Sequence, residues 1–334
     1  MNIIIPMAGM GKRMRPHTLT VPKPLIPIAG KPIVQRLVED IAKVCNEKID
    51  EIAFIVGEFG VEVEAKLLYI AEKVGAKGTI YYQEEALGTA HAILCAKEAL
   101  DGKVVVAFAD TLFCADFKLD TAQEGIIWVH RVEDPSQFGV VKLNPAGEIT
   151  EFIEKPKEFI TDLAIIGIYY FKDGAYLQKE LQYLIDHNIM EKGEYQLTNA
   201  LENMKQKGTR FITGQVNEWL DCGNKDATIY TNQRILEIVK ETENLVSQKI
   251  LNSNSVIIEP CYIGADVQLI NSVIGPHVSI GAGSTIEKSI ITNSIIQGQT
   301  AIINSVISNS MIGSNAIYKQ KGSELSLGDY STIE

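Results

Sequence analysis

The chain has 334 residues, 46% hydrophobic and 22% charged, which suits an ordinary globular protein of about two domains with a large buried core. Its formal charge of −11 at pH 7, with no clustered Lys/Arg stripe, argues against a nucleic-acid or anionic-membrane partner, so an anionic substrate would need local positive charge and a divalent metal. Five cysteines, at 45, 95, 114, 222 and 261, show no C-x-x-C spacing and an odd count, which disfavours zinc and disulfide frameworks and fits a reducing cytoplasm.

The first element is a strand, Ile3-Ile4-Ile5, too short for a signal or membrane segment and without the charged region that precedes one. It runs into Pro6-Met7-Ala8-Gly9-Met10-Gly11-Lys12-Arg13-Met14. Small residues at Ala8, Gly9 and Gly11 let backbone N–H groups approach a polyphosphate, and a nest of such dipoles attracts anions. Arg13 and Lys23 add formal charge from two sides, and Pro22 and Pro24 around Lys23 predict a stiff, extended arm. The loop is neither a Walker loop, which ends in G-K-[ST], nor a dinucleotide loop, which needs G-x-G-x-x-G.

Pro32 opens a helix whose apolar stripe is Ile33, Leu37 and Ile41. Short apolar runs at 51–56, 79–83 and 103–108, separated by helical stretches, predict parallel strands buried on both faces of an α/β sheet. Asp110 follows the last of these runs, which places its carboxylate at the carboxyl edge of a strand, where such sheets hold ligands and carboxylates commonly hold magnesium. The pattern then becomes strand-rich (126–132, 138–143, 165–171), with helices at about 174–187, 197–207 and 225–247. Asp221 lies in Trp219-Leu220-Asp221-Cys222-Gly223, between a strand and the last of these helices.

From about 250 the composition shifts. Residues 256–317 contain sixteen isoleucines and only four charged residues. Aliphatic residues recur at Ile263, Leu269, Ile274, Ile280, Ile286, Ile291, Ile296, Ile302, Ile307 and Ile312, in steps of five or six, which no helix or hairpin produces and a triangular coil of short parallel strands does. About sixty residues make three to four coils, and the Asn-Ser pairs at 271, 293, 304 and 309 fit corners.

Taken together, Gly9-Met10-Gly11-Lys12-Arg13-Met14, Pro22-Lys23-Pro24-Leu25 and Gly30-Lys31-Pro32 resemble the sugar-1-phosphate nucleotidylyltransferases, and the repeat resembles the hexapeptide left-handed β-helix that several of them carry at this end. The resemblance implies an α/β, Rossmann-like nucleotidyltransferase domain with a mixed, mainly parallel sheet over 1–247, a left-handed parallel β-helix over 250–318, and a tail, 319–334, that caps the coil. It implies catalytic roles for Arg13, Lys23, Asp110, Lys155 and Asp221, with Asp110 and Asp221 holding Mg²⁺. The nucleoside triphosphate would lie against Ala8, Gly9, Gly11, Arg13, Lys23, Gln83, Gly88 and Thr89. Gln83, carrying both a donor and an acceptor, would read uracil or thymine. His91 would be structural. The sugar 1-phosphate would meet Gly139, Glu154, Lys155, Gly167, Tyr169 and Lys192. The partners expected are therefore these two substrates and further copies of the chain, as a homodimer or homotetramer.

Two departures stand out. Lys12 occupies a position where relatives usually carry threonine. Ile165 stands where members that accept N-acetylated sugars carry asparagine, which favours glucose, whereas the run 88–92 resembles uridylyl-transferring relatives that use an N-acetylated sugar. The alternatives are an acyl-transferring or bifunctional enzyme, for which His277 is the one histidine in the repeat, and a sensor that binds sugar nucleotide without catalysis.

Overall fold

The computed structural model describes residues 1–321, so the expected tail lies almost wholly outside the described residues. The chain divides into two compact units, one of residues 1–26 and 32–223 and one of residues 27–31 and 224 onward.

The first unit is built on a nine-stranded mixed sheet. Asn2–Pro6 lies at its centre, parallel to Glu51–Val56 on one side and Val104–Ala107 on the other. Ile3, Ile4 and Ile5 are all fully buried, because both faces of this strand are covered. Ile4, Val104 and Val106 share one core with Ile93 of helix α3 (Thr89–Leu94) and Leu177 of α4 (Gly174–Asp186). Lys77–Tyr82 departs from the expectation of burial on both faces. It is an edge strand and is largely half-buried, with no strand paired beyond it among the described residues. Beyond Val104–Ala107 the sheet turns antiparallel through Leu163–Phe171, which pairs with Gly125–Arg131 and, at one position, with Gly139–Leu143. A separate two-stranded ladder pairs Thr111–Cys114 with Glu218–Asp221, opposing Thr111 to Asp221. Helix α1 runs Ile33–Val44 with Pro32 just outside it, and Ile33, Leu37 and Ile41 are buried as its stripe requires.

In the second unit three parallel sheets stack as a β-helix. Successive coils are offset by 16 or 17 residues, as from Leu251 to Gln268 and from Thr285 to Ala301. Strands from Leu251–Ser253 through Met311–Ile312 complete four coils, the upper end of the expected range, and Ile317–Lys319 begins a fifth. Nine of the ten aliphatic residues in the repeat are buried in a common core, with Ile312 packed against it at the end of the stack. Asn271, Asn293, Asn304 and Asn309 all turn corners in the left-handed region, with φ of 50°, 39°, 52° and 47°. Asn tolerates that region better than other side chains bearing a Cβ. A serine ladder ties the coils along one edge: the Ser272 N–H donates to Ser255 Oγ at 2.9 Å, Ser289 to Ser272 at 3.1 Å and Ser305 to Ser289 at 3.1 Å.

Helix α6 spans Lys225–Val239, eight residues shorter than expected, and passes into a turn in which the N–H groups of Thr242 and Glu243 share Val239 O. It was expected to close the catalytic domain, but by contacts it groups with the coil. Its fully buried Asn232 accepts from Ser279 Oγ at 2.7 Å and from Ala29 N at 2.9 Å, and each of these residues belongs to the second unit.

Candidate active site

A cleft of about 460 Å³ opens over the carboxyl ends of the parallel strands. Its walls include Ala8, Gly9, Gly11, Lys12, Arg13 and Lys23 on one side. Gln83, Gly88, Thr89 and Asp110 complete the residues expected there. The floor is set by sequence: the buried strands end at Pro6 and Ala107, and the chain emerges into the cleft at both points.

The Gly11 backbone is left-handed, φ 56°, and passes directly into the 3₁₀ turn Lys12–Met14, the alternation that aims successive N–H groups at one point. An added Cβ at Gly11 would come within 3.0 Å of Thr18 Cγ2 and 3.1 Å of Lys23 Cβ, so only glycine fits without movement. Thr18 Oγ1 donates to Gly11 O at 2.8 Å and pins the loop. Lys12 and Arg13 are both exposed, with their side chains on the cleft.

The arm around Lys23 is not extended as expected. Pro22 is, with ψ 137°, but Lys23–Leu25 form a 3₁₀ turn closed by Leu25 N to Pro22 O at 2.9 Å and Ile26 N to Lys23 O at 3.1 Å. The fixed φ of Pro24 suits that turn as well as an extended chain. The turn carries Lys23 inward, where it is 8% exposed and its Nζ lies 2.8 Å from Asp110 Oδ2.

Asp110 and Asp221 are brought together by the ladder that opposes Thr111 to Asp221, and the Cys222 N–H donates to Asp110 O at 2.9 Å. Burial pushes the Asp221 carboxyl above its ordinary value and the charge of Asp110 adds to this, while Lys23, the Gly223 N–H and Arg13 oppose it. Trp219 braces the ladder, donating from Nε1 to Thr111 Oγ1 at 2.7 Å and packing edge-on against Phe138 at 5.0 Å.

At the far end of the cleft Gly88 has φ 108°, and a Cβ there would lie 2.5 Å from Tyr195 O. That crowding brings in a segment not anticipated from the sequence, residues 194–197. Tyr195 N donates to Leu87 O at 2.8 Å, Ala90 N to Tyr195 O at 2.9 Å, and Glu194 lines the cleft. Thr89 is expected at the nucleotide, yet its hydroxyl is occupied within the chain, accepting from Leu197 N at 2.9 Å and facing Gln196 Oε1 at 3.2 Å. Gln83 Nε2 likewise faces two internal acceptors, Gly88 O at 3.2 Å and His91 Nδ1 at 3.1 Å. The amide therefore offers the cleft an acceptor and not the donor–acceptor pair expected.

The residues expected at the sugar phosphate form a second group. Glu154 is half-buried, 3.3 Å from Lys155 Nζ, and takes a hydrogen bond from Thr198 Oγ1 at 3.4 Å. A Cβ on Gly139 would sit 3.2 Å from Glu154 Oε2. Tyr169 is buried, and its hydroxyl is held far above its ordinary value by burial and then by the charge of Glu154. Gly167, φ 84°, sits in a register shift of its strand and accepts from the N–H of Phe108, a cleft residue whose ring meets Tyr169 at 6.1 Å. Lys192 is separate from this group, exposed in the tight turn 191–194 beside the cleft residue Glu194.

Against known families, residues 2–238 match the model described as Nucleotidyl transferase. Over its whole length the chain is 29% identical to the low-salt glycan biosynthesis nucleotidyltransferase Agl11 of Haloferax volcanii, covering 100% of it. It is 30% identical to the glucose-1-phosphate thymidylyltransferase of Streptomyces antibioticus, again over the whole chain and covering 99% of that protein. The bifunctional protein GlmU of Methanocaldococcus jannaschii is 31% identical over 78% of the chain, which spans 60% of the GlmU length. Among solved structures, a UDP-glucose pyrophosphorylase complexed with UDP-glucose superposes with a TM-score of 0.58 at 22% identity, over 71% of this chain and 98% of the other, a likeness of fold. With a glycine nest and paired lysine and aspartate on its cleft, and with a family match over more than two thirds of its length, the chain belongs to the nucleotidyl transferase family.

Proposed function

We propose that the protein transfers a nucleotidyl group from UTP or dTTP to a hexose 1-phosphate, glucose 1-phosphate before others, releasing pyrophosphate and forming a nucleoside diphosphate sugar. The observation that carries this reading is the Lys23–Asp110–Asp221 constellation beside the glycine nest, with Gln83 on the same cleft. The thymidylyltransferase among its relatives is named for this class of reaction.

The two carboxylates fit a divalent cation. They are hard oxygen donors, and they are close enough for the charge of Asp110 to add to the effect of burial in raising the Asp221 carboxyl. Asp110 and Asp221 would hold Mg²⁺, which when bound neutralises charge on the triphosphate. A sugar phosphate is largely dianionic near neutral pH, its second pKa being about 6, so its oxygen attacks the α-phosphorus without a general base. The bond from the α-phosphorus to the bridging oxygen breaks, and pyrophosphate carries off the electron pair. The chain's part is to align attacker and leaving group in the cleft and to stabilise negative charge with the loop N–H groups, Arg13 and Lys23, while Lys155 meets the sugar phosphate.

In the coil, His277 Nε2 lies 2.6 Å from Glu237 Oε1 of α6, so this nitrogen is engaged within the chain. Assembly as a homodimer or homotetramer belongs to the same proposal and is read by light scattering. Among the described residues no helix is long and apolar enough to cross a membrane.

The test is pyrophosphate release with Mg²⁺, crossing UTP, dTTP, CTP, GTP and ATP with glucose, mannose, galactose and N-acetylglucosamine 1-phosphates, with Asp110→Asn as control. Turnover with UTP or dTTP that vanishes in the variant supports the reading. Silence across the grid from folded protein rejects it in favour of a sensor.

A further inference from the structure

We infer that His91 is a positioning residue for base selection, its Nδ1 holding the Gln83 amide so that the carbonyl oxygen alone faces the nucleotide. The inference rests on the cleft being a nucleotide site, as proposed above.

A carbonyl oxygen only accepts, so the end of the Gln83 amide facing Gly88 O at 3.2 Å must be its NH₂. This fixes the orientation of the amide independently of His91. The same nitrogen lies 3.1 Å from His91 Nδ1, and its second hydrogen points there. Nδ1 must then be the unprotonated ring nitrogen and Nε2 must carry the proton. With both hydrogens engaged inside the chain, Gln83 has only Oε1 left for a ligand.

That single acceptor sorts bases by their ring nitrogen. Uracil and thymine present an N3–H, which Oε1 accepts. Cytosine presents a lone pair at N3, which Oε1 repels. A histidine donating from Nδ1 would confront the amide NH₂ and favour a flip that only Gly88 O resists. Burial keeps the His91 imidazole below its ordinary pKa, with Glu85 opposing, which favours the neutral ring this arrangement needs. His91 is half-buried and is absent from the cleft wall, which its helix neighbours Thr89 and Ala92 line, so it acts through Gln83 and not on the base.

The test measures kcat and KM for UTP, dTTP and CTP at saturating sugar phosphate in the wild type, His91→Leu and His91→Asn. Asparagine places Oδ1 close to the position of Nδ1 and keeps an acceptor there, while leucine removes it. His91→Leu is expected to lose about fivefold of the UTP-over-CTP preference in kcat/KM, the worth of one ordinary hydrogen bond, with the loss in KM for UTP more than in kcat. His91→Asn is expected to stay within about twofold of the wild type. Should leucine disturb the short helix, His91→Ala serves the same comparison. The inference is overturned if removing the acceptor leaves the preference intact, if asparagine falls as far as leucine, or if UTP and CTP lose equally. A wild-type enzyme that turns over sugar phosphate with no preference for UTP or dTTP over CTP also overturns it while leaving nucleotidyl transfer standing. Absence of all turnover removes the proposed function itself.

Discussion

The two units use left-handed backbone in opposite ways. In the coil it recurs in step, at Asn254 and Asn271 one coil apart and again at Asn293 and Asn309, each time turning a corner of the same kind. In the first unit it is scattered, and two sets of its glycines contrast. Gly75, Gly102, Gly147 and Gly208 turn in open space, where an added Cβ would meet nothing within 4 Å. Gly11 and Gly88 are hemmed in by Thr18, Lys23 and Tyr195, and both line the cleft. Left-handed backbone that repeats is a device of the fold. On the cleft wall, glycine allows a close approach of neighbouring chain that a side chain would block.

If that contrast is right, the two units respond differently to substitution. The largest effect belongs to the cleft. Lys23→Met keeps most of the side chain's packing but removes the cation beside Asp110, and turnover in the pyrophosphate assay is expected to fall about 10³-fold, the scale of losing one preorganised charge-stabilising group. The unfolding midpoint should scarcely move. Asp110 is 43% exposed, so water screens the pair and its worth to stability is about 1 kcal/mol or less. A comparable fall in stability would make Lys23 a structural residue and erase the contrast.

The coil should show the reverse. Ile286 is fully buried in the central stack, between Leu269 and Ile302. Ile286→Ala is expected to cost about 2–5 kcal/mol by lost transfer energy and cavity formation, read as a lower denaturant midpoint. Turnover per folded molecule, measured well below the transition, is expected to stay within about twofold of the wild type.

The same contrast explains what was legible in the sequence. The coil was readable almost residue by residue, because one interaction repeats: an aliphatic side chain every five or six positions and an asparagine or serine at the corner leave no other regular structure. The phosphate loop was readable for a different reason, since Gly9, Gly11, Arg13 and Lys23 lie within fifteen residues and a local signal suffices. What escaped were features made by partners distant in sequence. The segment 194–197 reaches the cleft through backbone bonds to residues 87–90, and backbone groups carry no sequence signature. The orientation of the Gln83 amide depends on Gly88 O and His91, and nothing in the composition of 83–92 reveals that both amide hydrogens are taken. The turn at Lys23 was misjudged because proline's fixed φ serves extended chain and 3₁₀ turn alike. The crowding at Gly88 had one outward sign, a glycine directly before a helix, which ordinary caps also show.

The smallest expected effect probes the corners. Asn304 is exposed, with φ 52°, and its N–H donates to Glu287 O at 3.0 Å. Asn304→Ala should destabilise by about 1 kcal/mol, the cost of an ordinary side chain in the left-handed region, whereas Asn304→Gly, which enters that region freely, should change stability by only a few tenths. Asn293 is the contrasting case. Its Nδ2 donates to Asn309 Oδ1 at 2.7 Å on the next coil, so glycine there keeps the backbone but loses a bond between coils. Asn293→Gly should therefore be worse than Asn304→Gly by about 1 kcal/mol in the denaturant midpoint. If the two glycine variants prove equal, the asparagines serve only to turn the chain. If Asn304→Gly is as costly as Asn304→Ala, the corner depends on the side chain itself, and repetition of left-handed backbone is not what builds this coil.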